Sequence, residues 1–130
     1  MRIKIILTTI FLLTLLYPLN SSMGDVFLKK VEFELDQIRS NAYENEYFMT
    51  LNLNKGNTYK FKVTNIKIKH RGDAQVQVLD GSTLVGTNVM GEKYFDVFTF
   101  QCNKTGFYDI LMNFQDGKTG HAVLDIFIAQ

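Results

Sequence analysis

Tryptophan is missing from this 130-residue chain, cysteine and proline occur once each, and histidine occurs twice. Each scarcity excludes something. The lone Cys102 has no partner for an internal disulfide, so stability must come from an apolar core. His70 and His121 stand apart from each other, and neither forms a ligand-spaced cluster with cysteine or carboxylates, so no metal and no cofactor are expected. Proline is confined to position 18, so no later extended segment is pushed to a sheet edge by a missing backbone donor. A dominant charge is lacking too, with 14 basic against 13 acidic residues. That balance gives no global field for nucleic acid or an anionic membrane. No phosphate-cradling glycine loop is present, because Gly81, Gly86 and Gly91 are isolated turn residues.

One long apolar run is present, at the N-terminus. Arg2 and Lys4 precede residues 5–16, which are apolar apart from threonines, and Pro18, Asn20, Ser21 and Ser22 follow. This is the pattern of a secretory signal peptide, with Ser22 and Gly24 as the small residues before a cut at Asp25. The run is shorter than the about 20 residues of a membrane span, and an uncleaved anchor helix is the alternative. The absence of a cysteine after the run excludes a bacterial lipoprotein anchor. Residues 1–24 are therefore expected to be a leader, and residues 25–130 a single secreted or periplasmic domain with no membrane span. That leaves 106 residues carrying 12 basic and 13 acidic side chains. A chain of this length buries roughly two-thirds of the surface it exposes when unfolded. The abundance of Lys, Asn, Ile, Phe and Tyr fits an AT-rich bacterial genome.

Beyond the leader the dominant signal is alternation of apolar and polar residues. Residues 25–46 are ambiguous. Val31, Phe33 and Leu35 alternate with Glu32, Glu34 and Asp36 as a strand over 30–36, followed by a polar loop around Ser40 to Asn45, while an N-terminal helix is the alternative. Tyr47, Met49, Leu51 and Leu53, then the turn 54–57 with Gly56, then Tyr59, Phe61 and Val63 read as a hairpin with one buried face. After Asn65 the phase slips to Ile66 and Ile68, which calls for a bulge or a crossing to a second sheet. Short strands follow at Val76–Val78, Leu84–Val85, Phe95–Cys102, Tyr108–Phe114 and Leu124–Ile128. Turns fall at residues 70–73, 80–81, 104–106 and 116–120. About seven or eight strands at this spacing predict an all-β fold, a single antiparallel β-sandwich.

The stretch YFMTLNLNKGNTYKFKV and the later FTFQCNKTGFYDILMNF resemble the pre-peptidase C-terminal domains of secreted bacterial enzymes. Gly56 with Tyr59, and Gly106 with Tyr108, carry the resemblance, which covers about half of the mature chain. It implies a jelly-roll-like sandwich. Family members are usually appended to an enzyme, and some bind calcium through clustered acidic residues. No matching acidic cluster occurs here, so calcium is not carried over.

Loops held by a rigid scaffold commonly carry function. That singles out Asn54, Lys55 and Asn57 in one turn, and Asp116, Lys118 and Thr119 in another. The strongest charged feature is Lys60, Lys62, Lys67, Lys69, His70 and Arg71. Tyr59 and Phe61 have the opposite parity to Lys60 and Lys62, so this patch reads as a solvated strand face more readily than as a nucleic-acid surface. A partner for it would be an acidic glycan or an anionic envelope component. Arg71-Gly72-Asp73 spells an adhesion tripeptide and Asn103-Lys104-Thr105 a glycosylation sequon, and turn chemistry accounts for both. Phe48, Phe95, Phe107 and Phe127 oppose the parity of their inward neighbours. They either form a stacking face for a glycan or pack as a satellite core beneath a loop.

Enzyme chemistry finds little support. Ser82, His121 and Asp125 can be imagined as a triad without any local motif, and Cys102 shares the parity of Phe98 and Phe100, as a buried small hydrophobe would. The leading expectation is a non-enzymatic exported binding or accessory module whose partner is a glycan, an envelope component or a protein. The alternatives are a small hydrolase or thiol enzyme using Cys102 or His121, and an assembly subunit pairing through an edge strand.

Overall fold

The computed structural model describes residues 24–66 and 71–130, together with the backbone of residues 2–7. The strands are β1 (Arg2–Leu7), β2 (Val26–Leu35), β3 (Tyr47–Leu53), β4 (Thr58–Asn65), β5 (Ala74–Asp80), β6 (Thr83–Thr87), β7 (Val89–Met90), β8 (Lys93–Tyr94), β9 (Val97–Gln101), β10 (Gly106–Phe114) and β11 (Gly120–Ile128). One sheet has the order β1-β2-β11-β4-β9 and the other β3-β10-β5-β6, with β7 and β8 as a small separate ribbon. Every pairing is antiparallel. The two large sheets pack face to face, as the alternation predicts, with more strands than the expected seven or eight.

The core lies between the sheets and is built from inward-facing alternate residues. Val31, Phe33 and Leu35 of β2, Tyr59, Phe61 and Val63 of β4, and Ala122, Leu124 and Ile126 of β11 meet Val76 and Val78 of β5 and Tyr108, Ile110, Met112 and Phe114 of β10. Burying such side chains stabilises the fold by about 1.5–3 kcal/mol each. Aromatic rings set the spacing at several points. Phe61 stacks on Phe98 with ring centroids 4.8 Å apart, and Phe33 meets Phe114 at 5.2 Å.

The strand expected over 30–36 forms and is longer, starting at Val26. The expected hairpin of residues 47–65 does not form. β3 pairs with β10 in one sheet, while β4 lies between β11 and β9 in the other. Residues 54–57 are thus a corner between sheets. The corner is tied to the end of β9: Gly56 N donates to Cys102 O at 2.9 Å, and Cys102 N donates to Asn57 O at 2.9 Å. Period-two burial is identical for a hairpin and for an arch, because both bury one side of each strand. The same holds for β9 to β10 and for β10 to β11, which also cross between sheets, whereas β5 and β6 form a true hairpin. The phase slip after Asn65 marks another crossing. β4 ends there, and Asn65 Oδ1 accepts the amide of Ala74 at the start of β5 at 2.8 Å.

Two local features depart from the sequence reading. Gly120 is not a turn residue but the first residue of β11. A Cβ there would lie 2.0 Å from the Phe114 ring, so only glycine admits that ring. Asn88, 1% exposed, is a buried polar residue that the strand pattern does not reveal. Its Oδ1 accepts Val76 N at 2.7 Å, and its Nδ2 donates to Ala74 O at 2.9 Å and Phe95 O at 3.2 Å. The side chain therefore stands in for a strand where the chain leaves β6 for the β7–β8 ribbon. Truncation leaves buried backbone groups unsatisfied, at about 1–3 kcal/mol each. Asn88→Ala is expected to lower the unfolding free energy by roughly 2–4 kcal/mol in urea titrations. A loss within experimental error contradicts this assignment.

Candidate functional site

The two turns singled out from sequence lie at opposite ends of the sandwich. Residues 54–57 sit beside the start of β10 and residues 115–119 follow its end, about 30 Å away along nine residues of strand. The first turn is a rigid corner. Tyr59, buried, places its hydroxyl within 2.8 Å of Asn54 N and 3.2 Å of Asn57 Nδ2, and Lys55 N donates to Thr105 Oγ1 at 2.8 Å. The Asn57 side chain is thus committed to holding the turn, whereas Asn54, an exposed residue, joins it through its backbone.

Tyr108 does similar work beside it. Its hydroxyl donates to Lys104 O at 2.5 Å and lies 3.7 Å from Cys102 Sγ. Burial, and then the neighbouring thiol, push its pKa up to about 12. Cys102 is 1% exposed and its thiol faces Lys104 O at 3.2 Å. His121 lies elsewhere, on the outer face of β11, with Nε2 2.6 Å from Glu32 Oε2. The length of β4, roughly 24 Å, separates the two, since Cys102 bonds to Asn57 and His121 to Ile66 at either end of that strand. Cys102 and His121 therefore form no thiol–imidazole pair. Ser82 is also remote from His121 and Asp125, being in the β5–β6 turn of the opposite sheet.

The basic patch is divided. Lys67, Lys69 and His70 lie outside the described residues. Lys60 and Lys62 face outward from β4, as their parity requires. Lys60 Nζ donates to Asp25 Oδ2 at 2.9 Å and lies 5.6 Å from the centroid of the Phe127 ring. Its hydrogen bond, with that from the Gln130 amide, holds the Asp25 carboxyl below the usual carboxylate range. Arg71 is a structural tie: its guanidinium donates to Leu35 O at 3.2 Å and Gly120 O at 3.1 Å and lies 3.6 Å from Glu34. The adhesion tripeptide is therefore no protruding loop. Gly72 is buried against the β10–β11 turn, with its amide 2.6 Å from Thr119 O.

The end of the sandwich that holds Asp116 and Lys118 has a shaped surface. The β2–β3 loop and the β10–β11 turn enclose an open groove of about 220 Å³, whose lining includes Leu35, Ile38, Glu46, Phe114, Asp116 and Lys118. The loop beside it is ordered by its own asparagines. Asn41 Oδ1 accepts Tyr43 N at 3.0 Å and caps a short 3-10 turn, Ala42–Asn45. Asn45 closes the loop by accepting Arg39 N at 2.8 Å and donating to Arg39 O at 3.0 Å. The result is a braced loop presenting Tyr43 at 80% exposure, and Ile38 of the groove lining is exposed as well. Sequence reading took this segment as a polar loop. The usable signal was the pair of asparagines flanking Tyr43, which are side chains that bond to nearby backbone.

A second exposed feature covers the outer face of the β3-β10-β5-β6 sheet. Phe48 is 55% exposed and Phe107 73%. Between them Thr50 Oγ1 donates to Asp109 Oδ1 at 2.9 Å. Phe95 is exposed as well, whereas Phe127 packs edge-on against Phe27 at 5.5 Å. Of the four outward phenylalanines, three are therefore exposed and one joins a satellite cluster.

The raised pKa of Tyr108 has a consequence at high pH. The neutral phenol is favoured in the folded state, so its contribution is complete below about pH 10 and lost as pH rises towards about 12. Tyr108→Phe is expected to flatten the alkaline fall in the urea midpoint over that window. An unchanged slope contradicts the assignment.

No family model matches the chain, and no curated protein matches it in sequence. Among solved structures the fold is similar to the crystal structure of Aeromonas hydrophila PliG, described as a periplasmic lysozyme inhibitor of g-type lysozyme. The TM-score is 0.51 at 15% identity, and the match covers 84% of this chain and 90% of that chain. At that identity the likeness shows a shared fold.

Proposed function

We propose that this protein is an exported, non-enzymatic module that binds a partner protein and blocks it, the partner being a wall-cleaving enzyme of the lysozyme class. The observation that carries the reading is the likeness of nearly the whole domain to a periplasmic lysozyme inhibitor. The leader-like N-terminus supports export to the periplasm or beyond. The surface assigned to the partner is the loop end of the sandwich, where Tyr43 protrudes from an asparagine-braced loop beside the groove with Glu46, Asp116 and Lys118. A loop already fixed in one conformation loses little entropy on docking. An exposed tyrosine on such a loop is the residue type that dominates binding energy at protein interfaces.

The test is a lytic assay on cell-wall suspensions with purified g-type lysozyme. Stoichiometric loss of lysis on adding the protein is expected. Tyr43→Ala is expected to weaken inhibition by about 2 kcal/mol, roughly 30-fold. Undiminished lysis at large excess contradicts the proposal.

One observation favours a second reading, glycan binding. Phe48 and Phe107 stand exposed on one sheet face with Thr50 and Asp109 between them, so that face offers ring platforms and hydrogen-bonding groups together. Co-sedimentation with insoluble peptidoglycan separates the two readings. Retention that is lost in Phe107→Ala and kept in Tyr43→Ala supports the glycan face, and no retention removes it.

A further inference from the structure

The outer edge of β2 is occupied by β1. The pairing is antiparallel, with Arg2 opposite Glu34, Ile5 opposite Val31 and Leu7 opposite Lys29. β1 belongs to the segment whose sequence reads as a cleaved leader. Cleavage before Asp25 takes β1 away and leaves β2, Val26–Leu35, as the outermost strand, with residues 29–34 losing the backbone partners that β1 supplied. Among the described residues the other sheet edges are shorter, seven residues in β3 and five each in β6 and β9. An open strand edge is a template for another strand. β1 pairs in unbroken register with residues 29–34, short of the irregularity at Leu28, so that stretch of the edge accepts a strand.

The side chains of β2 decide which strand fits. Lys30 and Glu32 flank Val31, which is buried on the core side. A two-fold axis at Val31 sets Lys30 of each copy opposite Glu32 of the other, and Val31 opposite Val31. Moving the axis to Lys30 opposes two lysines, moving it to Glu32 opposes two glutamates although it sets Lys30 opposite Glu34, and moving it to Phe33 opposes Glu32 and Glu34, so that of these the axis at Val31 alone opposes no like charges. Like charges directly opposite are destabilising, and opposite charges stabilise. Lys30 and Glu32 already have partners in their own chain, Asp125 at 3.7 Å and His121 at 2.6 Å. Cross-chain pairs would extend those contacts into one ionic row over two joined sheets.

We infer that, once the leader is removed, β2 pairs antiparallel with β2 of a second copy about an axis at Val31, so that the mature protein is a dimer with a continuous sheet. The leader strand covers this edge in the precursor. Antiparallel pairing sends the two β2–β3 loops in opposite directions, so each Tyr43 surface stays open and the dimer is bivalent. The inference is independent of which partner that surface takes.

The experiment uses protein recovered after export, its N-terminus read by mass spectrometry, followed by sedimentation velocity across a micromolar concentration series. Expected is an N-terminus at Asp25 and a monomer–dimer equilibrium. Lys30→Glu and Glu32→Lys are each expected to sediment as monomers, because each opposes like charges, while their equimolar mixture recovers a dimer. Circular dichroism checks that both variants fold. Hydrogen exchange on the unaltered protein supplies a readout without substitutions, with the amides of β2 gaining protection as concentration rises. Exported protein that keeps residues 2–7, a strict monomer at the highest concentration, a dimer indifferent to both substitutions, or a mixture that stays monomeric overturns the inference.

Discussion

Large tyrosines whose rings are buried and whose hydroxyls reach the rim of the sandwich hold this fold at its corners. Tyr59 reaches the amide of Asn54, Tyr108 reaches the carbonyl of Lys104, and Tyr47 reaches the carbonyl of Glu34 across the gap between sheets. A buried phenol must find a partner or lose about 1–3 kcal/mol. Each of these partners is a backbone group of the corner or strand that the tyrosine pins. The ring supplies core volume, and the hydroxyl fixes where the chain turns from one sheet to the other. With the corners fixed, the loops at the far end spring from strands whose ends cannot drift.

The strands were legible because alternate burial leaves a mark that survives without knowledge of pairing. Tyr108, Ile110, Met112 and Phe114 could only share one face, and they do. Pairing was illegible for the same reason. Tyr59, Phe61 and Val63 face inward whether β4 lies beside β3 or across from it, so the predicted hairpin became an arch. Buried polar geometry was the other blind spot. Asn88 and Arg71 look like loop residues in sequence, and only the placement of Val76, Leu35 and Gly120 around them shows that they bond to strand backbone. Of the candidate turn residues, Asp116 and Lys118 line a groove, while the Asn57 side chain braces the corner and Asn54 joins it through its backbone. Tyr43 escaped notice because one aromatic in a polar segment has no periodicity to betray it.

Surfaces with different chemistry are separated by the architecture. The outer face of the β2-β11-β4 sheet is a row of paired polar groups, Glu32 hydrogen-bonded to His121, and Glu34 with Arg71 and Lys60 with Asp25 as ion pairs. The outer face of the opposite sheet exposes phenylalanines. The loop end presents a tyrosine on the loop that borders a groove of mixed charge. A thiol enclosed between Tyr108 and the Lys104 carbonyl, far from the histidine on the outer face, gives Cys102 a packing role. The geometry thus sets groups of differing chemistry at the periphery and leaves the interior to packing.

The most direct measurement of the proposed docking is hydrogen exchange of the protein with and without added g-type lysozyme. The account predicts slowed exchange in residues 38–46 and 115–118, with the corner at residues 54–57 unchanged. Protection confined to the Phe48 and Phe107 face, or no change anywhere on mixing, contradicts it.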